Sequence, residues 1–330
     1  MNVLHNATDL NPGPRKVCLA IGVFDGVHLG HQQIIRQTVT DARQHGGLAM
    51  VVTFDRHPCA IVAPDRVPPL IYSPPQKLRA IESLGADALL EFTFDLAFSQ
   101  LTGEQFVRNL ANDLNSGGAR SCKPPTNKAA GVAAGHRSAL QSICVGADFV
   151  FGHKRSGNVP LLRQLGGELN FQVHGLAAVA LDGETVSSTR IREVVRLGDF
   201  DAASQMLGRA YSLAGQVVRG DQLGHQLGFP TANLHTTGLL LPPNGVYAAH
   251  ASVAGKSLQA VLNIGRRPSV SNSTLTPRVE VHLLDFQNDL YGRELEVAFV
   301  AKLREEQKFD SLDELKAQIA RDITAARKRF

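Results

Sequence analysis

Wholly apolar runs alternate with helically spaced apolar positions along the first half of the chain. Val17–Ile21 is continuous and apolar, as expected of a strand covered on both faces. Gln33, Ile34 and Ile35 open a helical stretch with Val39 and Ala42 at helix spacing, ended by Gly46 and Gly47. Leu48–Phe54 is a second apolar run. A proline-rich loop follows, then a helix over 76–84, a strand at Ala88–Phe92, a helix over 104–114 and a strand at 143–145. This alternation predicts βαβ units around a parallel sheet, where ligands sit at the carboxyl ends of the strands. Residues 115–138 break the pattern. They are rich in Gly, Ala, Ser and Pro and read as an exposed insertion, in which Arg120, Lys123, Lys128 and Arg137 belong to a solvated loop sooner than to a phosphate site.

The pattern changes near Gly208. Short runs at 211–218, Gly245–Val253, 259–264, 278–284 and 295–303 are separated by Gly, Pro, Asn and Asp clusters, which predicts antiparallel strands of a barrel or sandwich. Asp310 and Ser311 can cap a final helix carrying Leu312, Leu315 and Ile319 on one face. Residues 197–208 read as a connector. A length of 330 residues, at roughly 150 per domain, agrees with two domains.

Composition narrows the class. Hydrophobic residues at 43% are enough to build cores. The formal charge of +4 suits anionic small ligands and is too small and dispersed for a nucleic-acid binder. No apolar run approaches the ~20 residues of a membrane span. Residues 1–16 are polar, with Pro12 and Pro14, and read as neither signal peptide nor anchor, and as loosely held. Cys18, Cys59, Cys122 and Cys144 are scattered without a C-x-x-C pair, which predicts reduced thiols and a cytoplasmic protein.

Candidate chemistry begins at Gly22-Val23-Phe24-Asp25-Gly26-Val27-His28-Leu29-Gly30-His31, between the first strand and the first helix. Gly22, Gly26 and Gly30 permit a tight turn and close approach to a ligand. The helix start offers free N–H groups to phosphate. His28 and His31, three residues apart, can converge on one anion and donate hydrogen bonds to charge developing on phosphoryl oxygens. A zinc site would want a third ligand, and none stands at a natural spacing. A glycine loop alone would read as a structural turn; two histidines in a strand–loop–helix setting make a stronger case. This segment resembles the GxFDGxHxGH motif of bacterial bifunctional riboflavin kinase/FAD synthetases, within the HxGH nucleotidyltransferase superfamily.

Further segments agree with that resemblance. Thr53-Phe54-Asp55-Arg56-His57-Pro58 is similar to the family's TFxPHP, with Arg56 where proline is usual. Val145-Gly146-Ala147-Asp148-Phe149-Val150-Phe151-Gly152 is similar to VGxDFRFG, with Val150 in the arginine position. Lys154-Arg155-Ser156-Gly157-Asn158 follows a KRxGD-like run, with Asn158 for aspartate. Val186-Ser187-Ser188-Thr189-Arg190-Ile191-Arg192 resembles ISSTxIR. On their own, the serines and Thr189 read as a helix cap, and Arg192 as a charge-assisted partner for phosphate.

A second constellation lies at Gly220–Asn233. Gly224 and Gly228 allow a loop whose amides can close over phosphates, and Thr231 and Asn233 offer hard oxygens suited to Mg²⁺. A plain hairpin loop accounts for the bare pattern equally well. The run resembles the LGFPTAN motif of riboflavin kinases. In Val279-Glu280-Val281-His282-Leu283-Leu284-Asp285-Phe286, Glu280 lies on the face opposite Val279 and Val281; by default it is a surface carboxylate. The segment resembles the riboflavin kinase VExHLLDF strand, in which the glutamate is the general base. The runs Asn263-Ile264-Gly265-Arg266-Arg267-Pro268 and Leu290-Tyr291-Gly292 match NIGxRPT and LYG, with Ser269 for threonine.

The resemblance implies an α/β chain. A Rossmann-like nucleotidyltransferase domain would span 1–196, a connector 197–208, and an antiparallel β-barrel riboflavin kinase domain ending in a helix 209–330. It implies phosphorylation of riboflavin and adenylylation of FMN to FAD, with ATP and Mg²⁺. His28, His31 and Glu280 would be catalytic. Gly22, Phe24, Asp25, Gly26, Gly30, His57, Ser188, Thr189, Arg192, Gly224, Gly228 and Thr231 would bind ATP, and Asp148, Phe149, Asn263 and Arg278 the flavin substrates. Thr231 and Asn233 would hold the metal. The partners would be small molecules, with neither nucleic acid nor membrane, and the oligomeric state stays open. A chain with only one active half is the close rival, since Arg56, Val150 and Asn158 all depart in the adenylyltransferase half; a flavin carrier without turnover is the second.

Overall fold

The computed structural model describes residues 1–10, 15–116, 139–220, 224, 227–253, 255–269 and 272–330. The expected insertion lies outside them beyond Ser116, as do Arg120, Cys122, Lys123, Lys128 and Arg137. The chain divides into two compact units, Met1–Pro68 with Lys77–Val186, and Pro69–Gln76 with Ser187–Phe330.

The first unit is built on β1 (Asn2–Leu4), β2 (Val17–Ile21), α1 (Leu29–Gln44), β3 (Leu48–Phe54), α2 (Cys59–Val62), α3 (Pro74–Glu82, whose start belongs to the other unit), β4 (Ala88–Phe92), α4 (Leu96–Ser99), α5 (Gly103–Asn115), β5 (Leu140–Gly146), β6 (Val150–Phe151), β7 (Gly157–Asn158), α6 (Val159–Leu169) and β8 (Gln172–Leu176). Six strands form a parallel sheet in the order β1-β4-β3-β2-β5-β8. Every residue of β2 is buried, because the strand is central and covered on both sides. Leu19 and Ile21 pack with Met50, Val52, Leu110 and Leu162, while Ala20 packs on the opposite face with Ile35, Val51, Ile81 and Leu89. That is the period-two alternation of a pleated strand.

Two expectations are corrected here. The start of the chain is held, not loose: β1 extends the sheet beside β4, and the Met1 amine donates to Glu82 Oε1 at 2.6 Å. Helix α1 begins at Leu29 rather than Gln33, because His28 is its cap and the buried position of its first turn is the polar Gln32. Helix α6 and strand β8 were not expected and complete the far edge of the sheet. Cys18 and Cys144 are buried, and burial pushes the Cys144 thiol to about 12, so it stays protonated.

The second unit contains α7 (Ser188–Leu197), α8 (Phe200–Leu207), β11 (Ser212–Val218), β12 (Ala232–Leu234), β13 (Gly245–Val253), β14 (Lys256–Ser269), β15 (Asn272–Leu283), β16 (Glu294–Arg304) and α9 (Leu312–Arg327); the short pair β9 (Ala180–Leu181) and β10 (Glu184–Thr185) precedes it. Its strands close a barrel in the order β11-β12-β15-β14-β13-β16, with every pairing antiparallel. Residues 197–208 contain α8, whose Phe200 stacks on Phe299 at 4.8 Å beside Tyr211 and Tyr247. Ser311 caps α9 by accepting from the Glu314 N–H. Leu312 is 59% exposed and leaves the apolar face, which runs instead through Leu315, Ile319, Ile323 and Ala326. The Arg304 guanidinium binds the buried Asp322 carboxylate through two nitrogens, at 2.9 and 2.8 Å, and ties α9 to β16. Among the described residues, no helix is long and apolar enough to cross a membrane.

Two candidate active sites

The first site forms where β2 turns into α1. Phe24 (φ 54°), Gly26 (φ 77°) and Val27 (φ 41°) all lie in the left-handed region. Positive φ is an outlier for a β-branched valine. Phe24 and Val27 have no solvent exposure, so core packing holds this strained turn in place. The turn aims two imidazoles into one spot: the rings of His28 and His31 stack with centroids 3.6 Å apart and planes 21° apart. His28 Nδ1 accepts the His31 backbone N–H at 3.4 Å, which leaves the ring proton on Nε2. His31 meets the Phe24 ring edge-on at 5.2 Å, and its Nδ1 is buried without a partner.

Burial, and then the neighbouring His28, hold the His31 pKa well below its ordinary 6.5. The unfolded chain therefore binds a proton at His31 where the folded one does not. The stability this contributes is present above pH 6.5 and is lost as the pH falls from there toward the folded value. The expected result is a steeper fall in melting temperature below pH 6.5 for the native chain than for His31→Gln. At about pH 5 the difference amounts to at most about 2 kcal/mol. Parallel melting curves across that range would contradict it.

Lys77, on α3, was missed by the sequence reading. Its Nζ donates to Thr53 Oγ1 at 3.3 Å and to the Phe54 carbonyl at 3.1 Å, and Thr53 Oγ1 donates to the Val23 carbonyl at 3.1 Å. Lys77 thus joins the end of β3 to the strained turn. Burial lowers its pKa, outweighing the nearby carboxylates of Glu91, Asp25 and Asp55. Its position four residues before the buried Ile81, on the apolar face of a helix, was the available signal. His57, past β3, accepts the Cys59 N–H on Nδ1. Asp55 binds Arg56, whose side chain holds the Asp55 carboxyl below its usual range.

Beside this turn lies a cavity of about 670 Å³, lined by Gly22, Phe54, Phe98, Phe149, Phe151 and Lys154 among others. Its phenylalanines touch in a chain: Phe54 with Phe98 at 5.7 Å, Phe98 with Phe106 at 5.8 Å, Phe106 with Phe151 at 6.1 Å and Phe151 with Phe149 at 5.1 Å. Only Phe149 had been picked out from the sequence. The density of phenylalanine between Phe92 and Phe106 was the signal for Phe98 and Phe106. Asp148 is exposed and is not among the residues lining this cavity.

The second site lies on the barrel. Asn233 on β12 pairs with Glu280 on β15, and Glu280 pairs with Asn263 on β14. Directly opposed residues share a face, so three polar side chains stand in one row across three strands. Val279 and Val281 point to the other face and are buried, which fixes the register of that row. The row opens into a cavity of about 310 Å³, lined also by Gly224, Phe229, Thr231, Arg278 and Ile319. Glu280 is half-buried and makes no hydrogen bond or ion pair among the described residues. Thr231 also lines an adjoining cavity of about 300 Å³ with Pro230, Leu290 and Tyr291. His282, also missed, donates Nδ1–H to the Pro230 carbonyl at 2.8 Å and so pins the loop containing Gly228 to β15.

A riboflavin kinase family model matches residues 207–330, and an FAD synthetase family model matches 11–118 and 135–190. A protein of Escherichia coli (strain K12) named bifunctional riboflavin kinase/FMN adenylyltransferase is 35% identical over 333 residues, covering 100% of this chain and 98% of its own. The chain belongs to the bifunctional riboflavin kinase/FMN adenylyltransferase family. A Pseudomonas fluorescens protein of the same name is 36% identical, with 99% and 97% coverage. A solved Streptococcus pneumoniae structure, described as a macrolide-efflux protein, has 26% identity, a TM-score of 0.76 and 98% coverage of both chains.

As a bifunctional riboflavin kinase/FMN adenylyltransferase family member, the chain carries its expected nucleotide residues on both units. In the first, Gly22, Phe24, Asp25 and Gly26 lie in the segment joining β2 to α1, and Gly30 lies in the first turn of α1. Ser188 and Thr189 open α7 in the second, with Ser187 as the cap that accepts from the Arg190 N–H. Arg192 is buried and donates its Nε–H to the Pro69 carbonyl at 2.8 Å, so at least part of its guanidinium is spent within its own unit.

Proposed function

We propose that the chain makes FMN and FAD in the cytoplasm, as two separate ATP-dependent transfers on small molecules. Residues 209–330 phosphorylate riboflavin and residues 1–196 adenylylate FMN, with 197–208 between them. In the kinase step Glu280 takes the proton from the ribityl 5′-hydroxyl as that oxygen attacks the γ-phosphorus of ATP and ADP leaves. Asn263 and Arg278 orient riboflavin, and the loop bearing Gly224 and Gly228 closes over the phosphates. The assignment of this step rests on Glu280: a half-buried carboxylate with no partner among the described residues, between two polar neighbours and beside a threonine that lines two adjoining cavities. A general base tied into an ion pair would be a poorer proton acceptor.

The donor set around Thr231 and Asn233, a hydroxyl and an amide oxygen next to a carboxylate, fits a hard cation that keeps some of its waters. These two residues would hold Mg²⁺, which supplies charge neutralisation on the transferring phosphates. The Asn233 amide packs directly on the Gly220 α-carbon; a methyl group there would fall 2.2 Å from Nδ2 and 2.5 Å from Cγ. Gly220→Ala is therefore expected to swing the amide away at little cost to the fold. FMN formation should fall about tenfold or more, with a raised Mg²⁺ requirement, while FAD formation from supplied FMN continues. A Gly220→Ala protein with unchanged magnesium dependence would remove Asn233 from the metal site.

In the adenylyl step a phosphate oxygen of FMN attacks the α-phosphorus of ATP, and pyrophosphate leaves. His28, with its proton on Nε2, and His31 donate hydrogen bonds to the charge that builds on the α-phosphoryl oxygens. His57, Ser188, Thr189 and Arg192 bind ATP. The phenylalanine-lined cavity, adjoining Gly22, suits a flat flavin ring, which gains from aromatic contact and burial. Asp148 and Phe149 remain assigned to FMN binding. Incubating the purified chain with riboflavin, ATP and Mg²⁺ should yield FMN first and then FAD with pyrophosphate. FMN accumulating without FAD would leave only the kinase half, and no conversion at all would leave a carrier.

A further inference from the structure

We propose that Lys154 and Arg155 select the phosphorylated flavin at the adenylyl site. The proposal rests on the reading of the phenylalanine-lined cavity as the FMN pocket. Both side chains line that cavity, both are exposed, and neither has an acidic partner among the described residues. Both residues sit in the left-handed region, at φ 51° and 59°. Such a conformation is unfavourable for side chains of this size, so something must hold the turn.

The holding contacts all run to the backbone of the 99–103 segment. The His153 N–H donates to the Leu101 carbonyl at 2.7 Å, and His153 Nδ1–H donates to the Ser99 carbonyl at 3.2 Å. The Gly103 N–H donates to Ser156 Oγ at 3.0 Å. A side chain on Gly152 would lie 2.3 Å from the Gly103 nitrogen, and one on Gly103 would lie 2.5 Å from the Gly157 α-carbon. Three glycines therefore let two chain segments meet and set the basic turn along the cavity.

The need for charge here follows from two other positions. Val150, where the family pattern has arginine, lines the cavity and is 38% exposed, so it brings no cation. Arg56 is bound to Asp55 through Nε and a terminal nitrogen, so its charge is already matched. Lys154 and Arg155 are the unmatched cations lining the pocket among the described residues. A dianionic phosphate on the flavin would meet them through charge-assisted hydrogen bonds, whereas an uncharged flavin would not.

The test is steady-state FAD formation by Lys154→Gly with Arg155→Gly, which removes charge where glycine suits the backbone. Lys154→Asn with Arg155→Asn serves as a second variant that keeps side chains compatible with the turn. The KM for FMN should rise about tenfold or more, with the KM for ATP within about twofold. Lumiflavin, which has the ring but neither ribityl chain nor phosphate, should inhibit both variants as it does the native chain. The native dependence of kcat/KM for FMN on salt should flatten in both variants. An unchanged KM for FMN, a rise confined to ATP, or equal weakening of FMN and lumiflavin overturns the proposal. Leu96→Asp, at a 67% exposed lining position, separates the underlying reading. It should weaken FMN and lumiflavin together, and if it affects neither, the cavity is not the flavin pocket and the selection proposal falls with it.

Discussion

Replacing both imidazoles, His28→Ala with His31→Ala, is expected to lower FAD formation at least a thousandfold and to leave FMN formation within about twofold. Removing one donor aimed at a developing oxyanion typically costs about a hundredfold to a thousandfold, and here two stacked donors go together. The barrel site lies on other residues in another unit, so it has no reason to respond. His28 also caps α1, and losing a cap costs about 0.5–2 kcal/mol, so the alanine protein should melt somewhat lower. A second variant, His28→Asn with His31→Gln, controls for this. Asparagine caps well but has no imidazole, so it should restore the melting temperature without restoring FAD. Pyrophosphate release with FMN and ATP reads the first activity, and riboflavin consumption reads the second. If a stably folded variant lost both, one site would have to serve both reactions.

The reach of sequence reasoning follows from which residues face the core. Val17–Ile21 and Leu48–Phe54 were legible because central strands are buried on both faces and read as nearly continuous apolar runs. Glu280 was legible because Val279 and Val281 announce the alternation on either side of it. The start of α1 was not, since its first turn serves the histidine site and carries no apolar stripe until Ile34 and Ile35. Strand β12 escaped notice because it is three residues long and follows Pro230, yet it contributes Asn233 and closes the barrel. Residues 2–4 form an edge strand too short to show periodicity. Least visible were the left-handed conformations of Val27, Lys154 and Arg155, which run against local preference and are imposed by packing from elsewhere in the chain. Both candidate sites border such departures or such short elements, whereas the regular core was plain from its pattern.

Glu280→Ala is expected to reverse the selectivity of the histidine variant. FMN formation from riboflavin should fall by about a hundredfold to ten-thousandfold, the usual contribution of a positioned general base, while FAD formation from supplied FMN persists. The loss should appear in kcat with the KM for riboflavin nearly unchanged, because the proton transfer occurs only in the transition state. Folding should be unaffected: Val279 and Val281 anchor the strand from its buried face, and the Glu280 carboxylate holds no partner among the described residues that would be stranded by its removal. Glu280→Gln keeps the polar row with Asn233 and Asn263 and should be as slow as alanine, since an amide cannot accept the hydroxyl proton. A glutamine variant that retained most of the activity would make Glu280 an orienting group and shift the proton to another acceptor, with His282, two residues along the same face, the first to examine. Because His282 Nδ1–H is already committed to the Pro230 carbonyl, a base role there would run through Nε2, and His282→Gln would then be the slower of the two glutamine variants.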